Sequence, residues 1–302
     1  MKPMNLTGAC RILMARPEHF AVTYAINPWM DPGSWAAADR TLAARARREW
    51  QALYQELRRL GAVIELIPAE PGLPDLVFTA NAAVVMDGVA LLARFRHAER
   101  QGEESVIAAA FERLRAAGII DEIRHLPPGI TLEGAGDCVW DRRRELFWMG
   151  YGQRSDKAAL RVVSETFKPE AVALELADPR FYHMDTALCP LAGGEVMYVP
   201  GAFTARGRDE IRARVAPEWR IEIAEEDAVL LAANAVSIGK VIVLSRAGEG
   251  LRRQLGERGY DVRQMPLDAF RRSGGSAFCL TLRLDHRSAA GAASVPPLQI
   301  RA

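Results

Sequence analysis

One cysteine in this 302-residue chain stands where a thiol could act as a nucleophile. Cys279 follows the glycine-rich segment 273–278, and the alternation of Phe278, Leu280 and Leu282 predicts a strand that begins there. A thiol fixed at a loop-to-strand junction can attack an electrophilic carbon if a neighbouring base or cation favours the thiolate. Taken alone, Cys279 fits a buried hydrophobic residue equally well, since most free cysteines are of that kind.

Polar residues that could serve this thiol occur in four other loops. Each fits an ordinary role when taken singly, because loop carboxylates are usually solvated and loop asparagines usually form turns. Together they offer an imidazole for acid–base chemistry and several carboxylates, which would repel one another unless a cation lay between them. Because no metal-ligand spacing is evident, we expect that cation to be the substrate. The residues are Asn81, Glu133, Asp137, His183, Asp185 and Asn234.

The elements that must bring these loops together recur about five times. Each unit reads as a strand, a polar loop, a hairpin and a helix, with a period of roughly 50 to 60 residues. Turn residues at 87–88, 141–144 and 193–194 mark inner hairpins, and 35–60 predicts a long amphipathic helix. The polar positions fall near the start of each hairpin, so a ring of such units would bring them to one axis. The first and last strands must then close one unit.

The composition is that of an ordinary globular protein. Hydrophobic residues make up 49% and charged residues 25%, and the net charge of +1 favours neither nucleic acid nor an anionic membrane as partner. The four cysteines lack the spacing of a zinc site or a disulfide framework. No signal peptide or membrane-spanning run is evident, so we expect a cytoplasmic protein. We expect one catalytic domain over 1–287 and a disordered low-complexity tail over 288–302.

Four motifs resemble the guanidino-group-modifying superfamily, the penteins. They are FTAN (78–81), EGAGD (133–137), HMDT (183–186) and SGGSAFC (273–279). The superfamily includes arginine deiminases, dimethylarginine dimethylaminohydrolases, amidinotransferases and arginine dihydrolases. The resemblance implies an α/β fold, a five-bladed α/β propeller, which agrees with the repeat count. It also implies hydrolysis without a metal or cofactor.

The resemblance further implies the catalytic roles. Cys279 would attack the guanidinium carbon and form a covalent S-amidino intermediate. His183 would protonate the leaving amine and then activate water. Glu133 and Asp185 would hold the guanidinium nitrogens through charge-assisted hydrogen bonds. In this scheme the cationic substrate and His183 favour the thiolate, so we expect Cys279 to react with iodoacetamide well below the pH of a free thiol.

Other residues are expected to bind the rest of the substrate. Arg94 and Arg154 follow loops where the superfamily places arginines that bind the substrate α-carboxylate, although exposed arginines beside helices are an equal alternative. We also assign Asn27 and Phe78 to substrate binding. Asn27 lies in the segment 26–33, whose prolines and glycine predict an irregular loop that is either a lid or a packed surface loop.

Asn81 separates the possible activities. Arginine deiminases and dimethylarginine hydrolases carry Asp at this position, whereas the FTAN form with INPWM (26–30) upstream resembles the arginine dihydrolases. These convert arginine to ornithine, two ammonia and carbon dioxide. An amide both donates and accepts, so it could retain the neutral ureido group of citrulline for a second attack. The alternatives are the citrulline-forming enzymes or a non-catalytic binding module like the ribosome anti-association factors. We expect a small-molecule substrate, arginine or a methylated arginine. The sequence does not determine the oligomeric state, and a homo-oligomer stays open because such propellers often pair.

Overall fold

Five sheets of one design repeat along the chain. The computed structural model describes residues 10–292, while 1–9 and 293–302 lie outside the described part. In each sheet two strands pair antiparallel, and a third strand runs parallel to the middle one. The strands are β1 (Arg11–Ala15), β2 (Val63–Ile67), β3 (Ala83–Met86), β4 (Val89–Leu92), β5 (Glu122–Arg124), β6 (Cys138–Asp141), β7 (Leu146–Tyr151), β8 (Glu170–Glu175), β9 (Leu188–Pro190), β10 (Val196–Tyr198), β11 (Arg220–Glu222), β12 (Val236–Ile238), β13 (Val241–Leu244), β14 (Asp261–Gln264) and β15 (Leu282–Arg283).

One sheet joins the two ends of the chain. Its strand order is β15-β1-β2, with Leu13 opposite Leu282. The other four sheets, β3-β4-β5, β6-β7-β8, β9-β10-β11 and β12-β13-β14, are each built from consecutive strands. The predicted closure of one unit between the termini is therefore confirmed. The N-terminal strand β1 is thus the middle strand of this sheet, between the C-terminal β15 and β2.

Helices connect the sheets and cover their outer parts. In the longest helix Leu42, Trp50, Leu53 and Leu57 are buried, as its helical spacing of apolar residues predicts. The helices are α1 (Pro32–Ala36), α2 (Asp39–Arg59), α3 (Ala98–Gln101), α4 (Glu103–Ala116), α5 (Gly134–Asp137), α6 (Ala159–Thr166), α7 (Met184–Ala187), α8 (Ala205–Arg214), α9 (Glu225–Ala228), α10 (Glu249–Glu257), α11 (Asp268–Arg271) and α12 (Ala289–Ala292).

Two details of the segment before α2 differ from the prediction. The expected single helix over 35–60 is divided into α1 and α2. The segment 26–33 was expected to contain no helix, which is wrong at its end, because α1 begins at Pro32. Asp31 caps this helix by accepting from Ser34, and proline is tolerated at the first helical position, where its missing N–H has no intrahelical partner.

Short helical turns hold the polar loops at the inner hairpins. A 3₁₀ turn (Thr79–Asn81) lies just before β3, and α5 and α7 lead directly into β6 and β9. Gly134 makes this arrangement possible at α5. Its φ is 63°, and a Cβ atom there would lie 2.7 Å from the carbonyl oxygen of Ala80. The polar loops of neighbouring units can therefore approach each other closely.

The C-terminal tail was expected to begin at 288. Ser288 is buried and bonds both carboxylate oxygens of Asp87, and α12 follows it. The described fold thus extends to 292, and the rest of the predicted tail lies outside the described residues. Within 10–292, no helix combines the length and apolar character needed to cross a bilayer.

Candidate active site

The thiol of Cys279 is buried between two polar side chains from other units. Sγ donates to Oδ2 of Asp185 at 3.1 Å, and Nδ2 of Asn234 lies 3.0 Å from Sγ. The second carboxylate oxygen of Asp185 is buried and has no hydrogen-bond partner in the described part of the chain. A buried carboxylate oxygen without a partner is unfavourable, so this atom is suited to receive N–H groups from a bound cation.

His183 lies between Glu133 and Asn81. Nε2 of His183 is 2.9 Å from Oε2 of Glu133, and Nδ1 is 3.3 Å from Nδ2 of Asn81. Asn81 also donates to the Glu133 carbonyl oxygen at 3.1 Å and accepts from Arg100 at 2.9 Å. Since carbonyl oxygens only accept and guanidinium groups only donate, these contacts fix the orientation of the Asn81 amide. Nδ1 of His183 is therefore the acceptor, and Nε2 carries the proton that bonds Glu133.

Glu133 receives several donors that favour its ionised form. Arg154 donates to Oε2 at 3.0 Å, and the backbone N–H of Arg96 donates to Oε1 at 3.2 Å. Burial alone would raise the pKa of Glu133, but the charge of Arg154 and the hydrogen bond to His183 hold it well below its ordinary value. The buried His183 has a pKa lowered to about 4, because desolvation outweighs the attraction of Glu133. The pair is therefore a carboxylate and a neutral imidazole at neutral pH.

Asp137 is buried beside this pair but does not contact the histidine directly. Ser155 donates to one of its oxygens at 2.6 Å and the backbone N–H of Met184 donates to the other at 3.1 Å, while Nε2 of His183 is 3.9 Å away. Ser155 also accepts from the backbone N–H of Glu133 at 3.0 Å. Asp137 thus links the loops that carry Glu133 and His183. Burial raises its pKa well above the ordinary value.

The thiol and its carboxylate partner both favour the protonated state. Burial raises the pKa of Asp185 to about 7. Burial, followed by the charge of Asp185, raises the pKa of Cys279 well above the ordinary value of 9.0. The expectation of a low-pKa thiol is therefore not met in this structure. A cation placed between Asp185 and Glu133 would change this balance, because it favours both negative charges.

The structure brings one of the two predicted arginines into the site. Arg154 is buried, bonds Glu133 and lies over the ring of Tyr182, with 4.7 Å from its guanidinium carbon to the ring centroid. Arg94 instead donates to backbone carbonyls at Leu126, Pro127 and Ile130. Its position at the end of β4 directs it to the neighbouring loop, so the structure does not support Arg94 as a substrate ligand.

Arg100 enters the site although the sequence did not indicate it. Nε and Nη2 of Arg100 donate to the two carboxylate oxygens of Glu103, each at 2.8 Å, and Nη1 donates to Asn81. Burial raises the pKa of Glu103 to about 7, and Asp75, whose carbonyl oxygen accepts from Arg100, is also buried. In the sequence Arg100 follows Arg94 and Arg96 in a short polar stretch. Nothing in that pattern distinguishes it from an exposed side chain.

The segment 26–33 lies against the site. Arg154 donates to the carbonyl oxygen of Ile26 at 3.1 Å, and Asn27 donates to the carbonyl oxygen of Ser273 at 3.0 Å. Trp29 donates from Nε1 to the carbonyl oxygen of Arg180 at 2.7 Å. Asn27 therefore connects this segment to the glycine-rich loop that precedes Cys279. This contact is compatible with either a lid or a packed loop.

Phe78 supports the same glycine-rich loop from below. A Cβ atom added to Gly275 would lie 2.3 Å from the Phe78 ring, so only glycine allows this close packing. Phe78 also makes an edge contact with Phe20, with centroids 5.7 Å apart. Its ring therefore belongs to the apolar layer under the site. Among residues 10–292, no group of three or more His, Cys, Asp or Glu side chains is arranged to hold a metal ion.

The family model described as N,N dimethylarginine dimethylhydrolase, eukaryotic, matches residues 16–285. The chain belongs to this family. A dimethylarginine dimethylaminohydrolase of Mycobacterium tuberculosis is 36% identical over 274 residues, which cover 91% of this chain and 85% of that protein. The predicted membership of the guanidino-group-modifying superfamily is thereby confirmed.

Two bifunctional relatives are also similar. The arginine dihydrolase/ornithine cyclodeaminase AgrE of Nostoc is 42% identical over 279 residues, and ArgZ of Synechocystis is 40% identical over 274 residues. The chain spans only 38% and 37% of their respective lengths. The N-terminal domain of ArgZ with bound substrate, an arginine dihydrolase, has a TM-score of 0.85 at 39% identity, covering 92% of this chain and 99% of that chain.

A structure with lower sequence identity shares the fold. A dimethylarginine dimethylaminohydrolase variant in an adduct with S-methyl-L-thiocitrulline has a TM-score of 0.72 at 18% identity, with 91% of this chain covered. At this identity the likeness concerns the fold alone. Together with the five equivalent sheets, it confirms the predicted five-bladed α/β propeller.

Proposed function

We propose that this chain is an arginine dihydrolase, which converts arginine to ornithine, two ammonia and carbon dioxide. The observation that carries the proposal is the position of Asn81, whose amide contacts both His183 and the Glu133 backbone within one buried group that also serves Cys279. An arginine dihydrolase domain of the same fold at 39% identity supports it. A further structure of that domain, an Asn-to-Ser variant, carries a covalently bound reaction intermediate, which is the chemistry proposed for Cys279.

The guanidinium is held between two carboxylates in this mechanism. Asp185 supplies its unpartnered oxygen and Glu133 its ionised carboxylate, so two N–H edges of the planar cation meet negative acceptors. The cation takes the place of the thiol proton as the partner of Asp185. The positive charge beside Sγ then favours the thiolate that the free site disfavours.

The first round of chemistry yields citrulline. Sγ of Cys279 gives its proton to His183 and forms a bond to the guanidinium carbon, and the bond from that carbon to a terminal nitrogen breaks as the His183 imidazolium passes this proton to the departing ammonia. A water molecule gives its proton to His183 and attacks the S-amidino carbon. The sulfur–carbon bond then breaks, which restores Cys279 and leaves a ureido group on the substrate.

The second round acts on citrulline before it is released. Sγ attacks the ureido carbon, and the second ammonia leaves. Water then cleaves the sulfur–carbon bond to give an N-carboxylated ornithine, which loses carbon dioxide. Asn81 is suited to hold the neutral ureido group because an amide offers both donors and an acceptor, whereas a carboxylate only accepts.

Arg154 is the arginine that we assign to the substrate α-carboxylate. It is buried and already bonds the segment 26–33 through the carbonyl oxygen of Ile26. To bind the carboxylate, Arg154 would exchange its contact with Glu133 for the substrate, which leaves Glu133 free for the guanidinium. Asn27 and Phe78 then act by supporting the loop that carries Cys279 rather than by contacting the reacting carbon.

A product assay tests the proposal. Purified protein is incubated separately with arginine, citrulline and asymmetric dimethylarginine, and amino acid products and ammonia are quantified. We expect ornithine with two ammonia per arginine. Citrulline as the end product from arginine would contradict the dihydrolase. Cys279→Ala is the control and should give no product.

A dimethylarginine dimethylaminohydrolase is the second candidate. The matching family model and the relative from M. tuberculosis favour it, because both are described by that activity. It predicts citrulline and dimethylamine from dimethylarginine, and little turnover of arginine. The same assay therefore separates the two functions by substrate and by product.

A further inference from the structure

The sulfur of Cys279 has a second partner, Asn234, that the mechanism above does not use. Oδ1 of Asn234 accepts from the backbone N–H groups of Ser276 and Cys279, each at 3.1 Å. Backbone N–H groups can only donate, so the two contacts identify this atom as the amide oxygen. The NH₂ group of Asn234 must therefore face the opposite direction.

That NH₂ group has two hydrogens and two neighbours. Nδ2 lies 3.2 Å from the carbonyl oxygen of Asp185 and 3.0 Å from Sγ of Cys279. The carbonyl oxygen takes one hydrogen, and the other points to the sulfur. Asn234 is fully buried, so no solvent competes for this hydrogen.

We propose that Asn234 is a catalytic residue that donates a hydrogen bond to the Cys279 thiolate and so stabilises the nucleophile. The inference rests on the nucleophilic role proposed for Cys279. When the thiol loses its proton, its hydrogen bond to Asp185 becomes a repulsion between two negative charges. The bond from Asn234 becomes charge-assisted and strengthens.

An amide suits this position better than a charged donor. A lysine or arginine here would stabilise the thiolate more strongly, but it would also pair with Asp185 and compete with the cationic substrate. Asn234 adds no charge, so the Asp185 oxygen remains available for the guanidinium. The bonds to Ser276 and Cys279 also fix the sulfur relative to the donor.

The alternative is a structural role alone. Asn234 connects the loop before Cys279 to the turn that carries Asp185, and this connection could matter only for folding. A structural defect lowers the fraction of protein that can react, or the rate of its alkylation, by the same factor at every pH. Loss of a thiolate donor instead raises the pH at which the thiolate forms. The pH profile of thiol reactivity therefore separates the two roles.

The probe is 2-chloroacetamidine, a small cation whose amidinium resembles the guanidinium and whose chloromethyl carbon alkylates a thiolate with loss of chloride. Alkylation of Cys279 is followed by mass spectrometry from pH 6 to 10 in the full chain. For Asn234→Ala we expect the midpoint to rise by about one pH unit, which is about tenfold slower alkylation below the midpoint. If Asn234→Ala and the unaltered protein have the same midpoint, and the variant is only alkylated more slowly at every pH, the proposal is overturned.

A second variant keeps the test valid if Asn234→Ala fails to fold. Asn234→Asp retains the acceptor for both backbone N–H groups, and its carboxyl ionises before the thiol, so the midpoint should again rise. An unchanged midpoint in this variant overturns the proposal. Ser237→Ala is the matched control, because Ser237 lies in the same unit and bonds the Ala192 amide. Its profile should match that of the unaltered protein.

The experiment does not depend on turnover of arginine. If arginine is not a substrate but the midpoint moves in Asn234→Ala, the role of Asn234 stands and the proposed function fails. If Cys279 of the unaltered protein is not alkylated between pH 6 and 10, the nucleophile assignment fails, and the inference about Asn234 fails with it.

Discussion

Asn81 donates to Nδ1 of His183 over 3.3 Å, and this contact decides which nitrogen of the imidazole carries the proton. Arg100 and the Glu133 carbonyl hold the amide in the orientation that requires it. His183 therefore presents its N–H to Glu133. The residue that the sequence assigned to product specificity is thus also the residue that sets the state of the acid–base group.

Asn81→Asp is expected to convert the enzyme toward citrulline release. The carboxylate keeps its contact with Arg100, but it has no hydrogen for the Glu133 carbonyl or for a ureido oxygen. Losing one such hydrogen bond, worth about 1 kcal/mol, should raise the ratio of citrulline to ornithine by about fivefold or more. The new charge should also raise the pKa of His183. Amino acid analysis after incubation with arginine measures the ratio, and ornithine as the sole product would disprove the role of Asn81.

A substitution at Gly136 tests whether activity depends on the position of the Asn81 amide, because it moves the amide without changing its chemical type. A Cβ atom at Gly136 would lie 2.1 Å from Nδ2 of Asn81, so Gly136→Ala must displace the amide without altering it. We expect consumption of arginine to fall by about tenfold or more, since a misplaced amide also releases His183. Initial rates of arginine loss measure this. A normal rate would mean that the contact of Asn81 with His183 is dispensable.

Substitutions of Arg154 and Arg94 together test which of these arginines binds the substrate α-carboxylate. Arg154→Ala should lower kcat/KM for arginine by about 100-fold, as expected for the loss of a charge-assisted pair worth about 3 kcal/mol. The value of kcat/KM for agmatine, which lacks the α-carboxylate, should fall less. The ratio of kcat/KM for arginine to that for agmatine should therefore decrease. Arg94→Ala should leave that preference unchanged, because the Arg94 guanidinium donates to the backbone carbonyls of the 126–130 loop. Equal preferences in all three proteins would refute the assignment.

Much of this site could be predicted because the chain is a repeat. The positions of Asn81, Glu133, His183, Asp185 and Cys279 could be aligned from the strand and turn pattern. A ring of units then brings equivalent loops together, as the structure does. The glycines of 133–137 and 273–279 indicated close backbone approach, and Gly134 and Gly275 occupy such contacts.

The remainder depended on side-chain directions that no sequence pattern encodes. Arg94 and Arg100 are six residues apart, and both resemble exposed arginines in the sequence. One turns toward the 126–130 loop and the other toward Asn81. The state of Cys279 was mistaken for a related reason. Its pKa depends on burial and on the orientation of Asp185, and neither follows from residue spacing.

Labelling of Cys279 should therefore depend on the charge of the reagent. Iodoacetamide is neutral and should react slowly at pH 7, because the free thiol has a pKa well above its ordinary value. A cationic chloroacetamidine should react at least tenfold faster relative to a model thiol, since its charge favours the thiolate. Mass spectrometry at Cys279 gives both rates. Fast labelling by iodoacetamide at pH 7 would show that the thiol is already ionised without a bound cation.

Asp185→Asn is expected to stabilise the fold while abolishing activity. The pKa of Asp185 is raised to about 7 in the folded protein, so between about pH 4 and 7 the folded state holds a proton that the unfolded state has lost. Stability therefore falls as pH rises through this window, and the ionised carboxylate is a cost above it. The amide removes that cost, with a gain on the order of 1–3 kcal/mol at pH 8 and little at pH 4.

Thermal unfolding of both proteins at the two pH values measures the difference. A gain of this size corresponds to about 2–8 °C in Tm at pH 8 for a chain of this length. Asp178→Asn is a control for which we expect a change in Tm in the opposite direction. Burial would raise the pKa of Asp178, but its hydrogen bonds to Arg180 lower this pKa overall. An ionised Asp178 therefore stabilises the fold above its unfolded pKa, and its replacement should lower Tm at pH 8. If Asp185→Asn gives the same change in Tm at pH 4 and pH 8, the buried carboxylate is not the source of the effect.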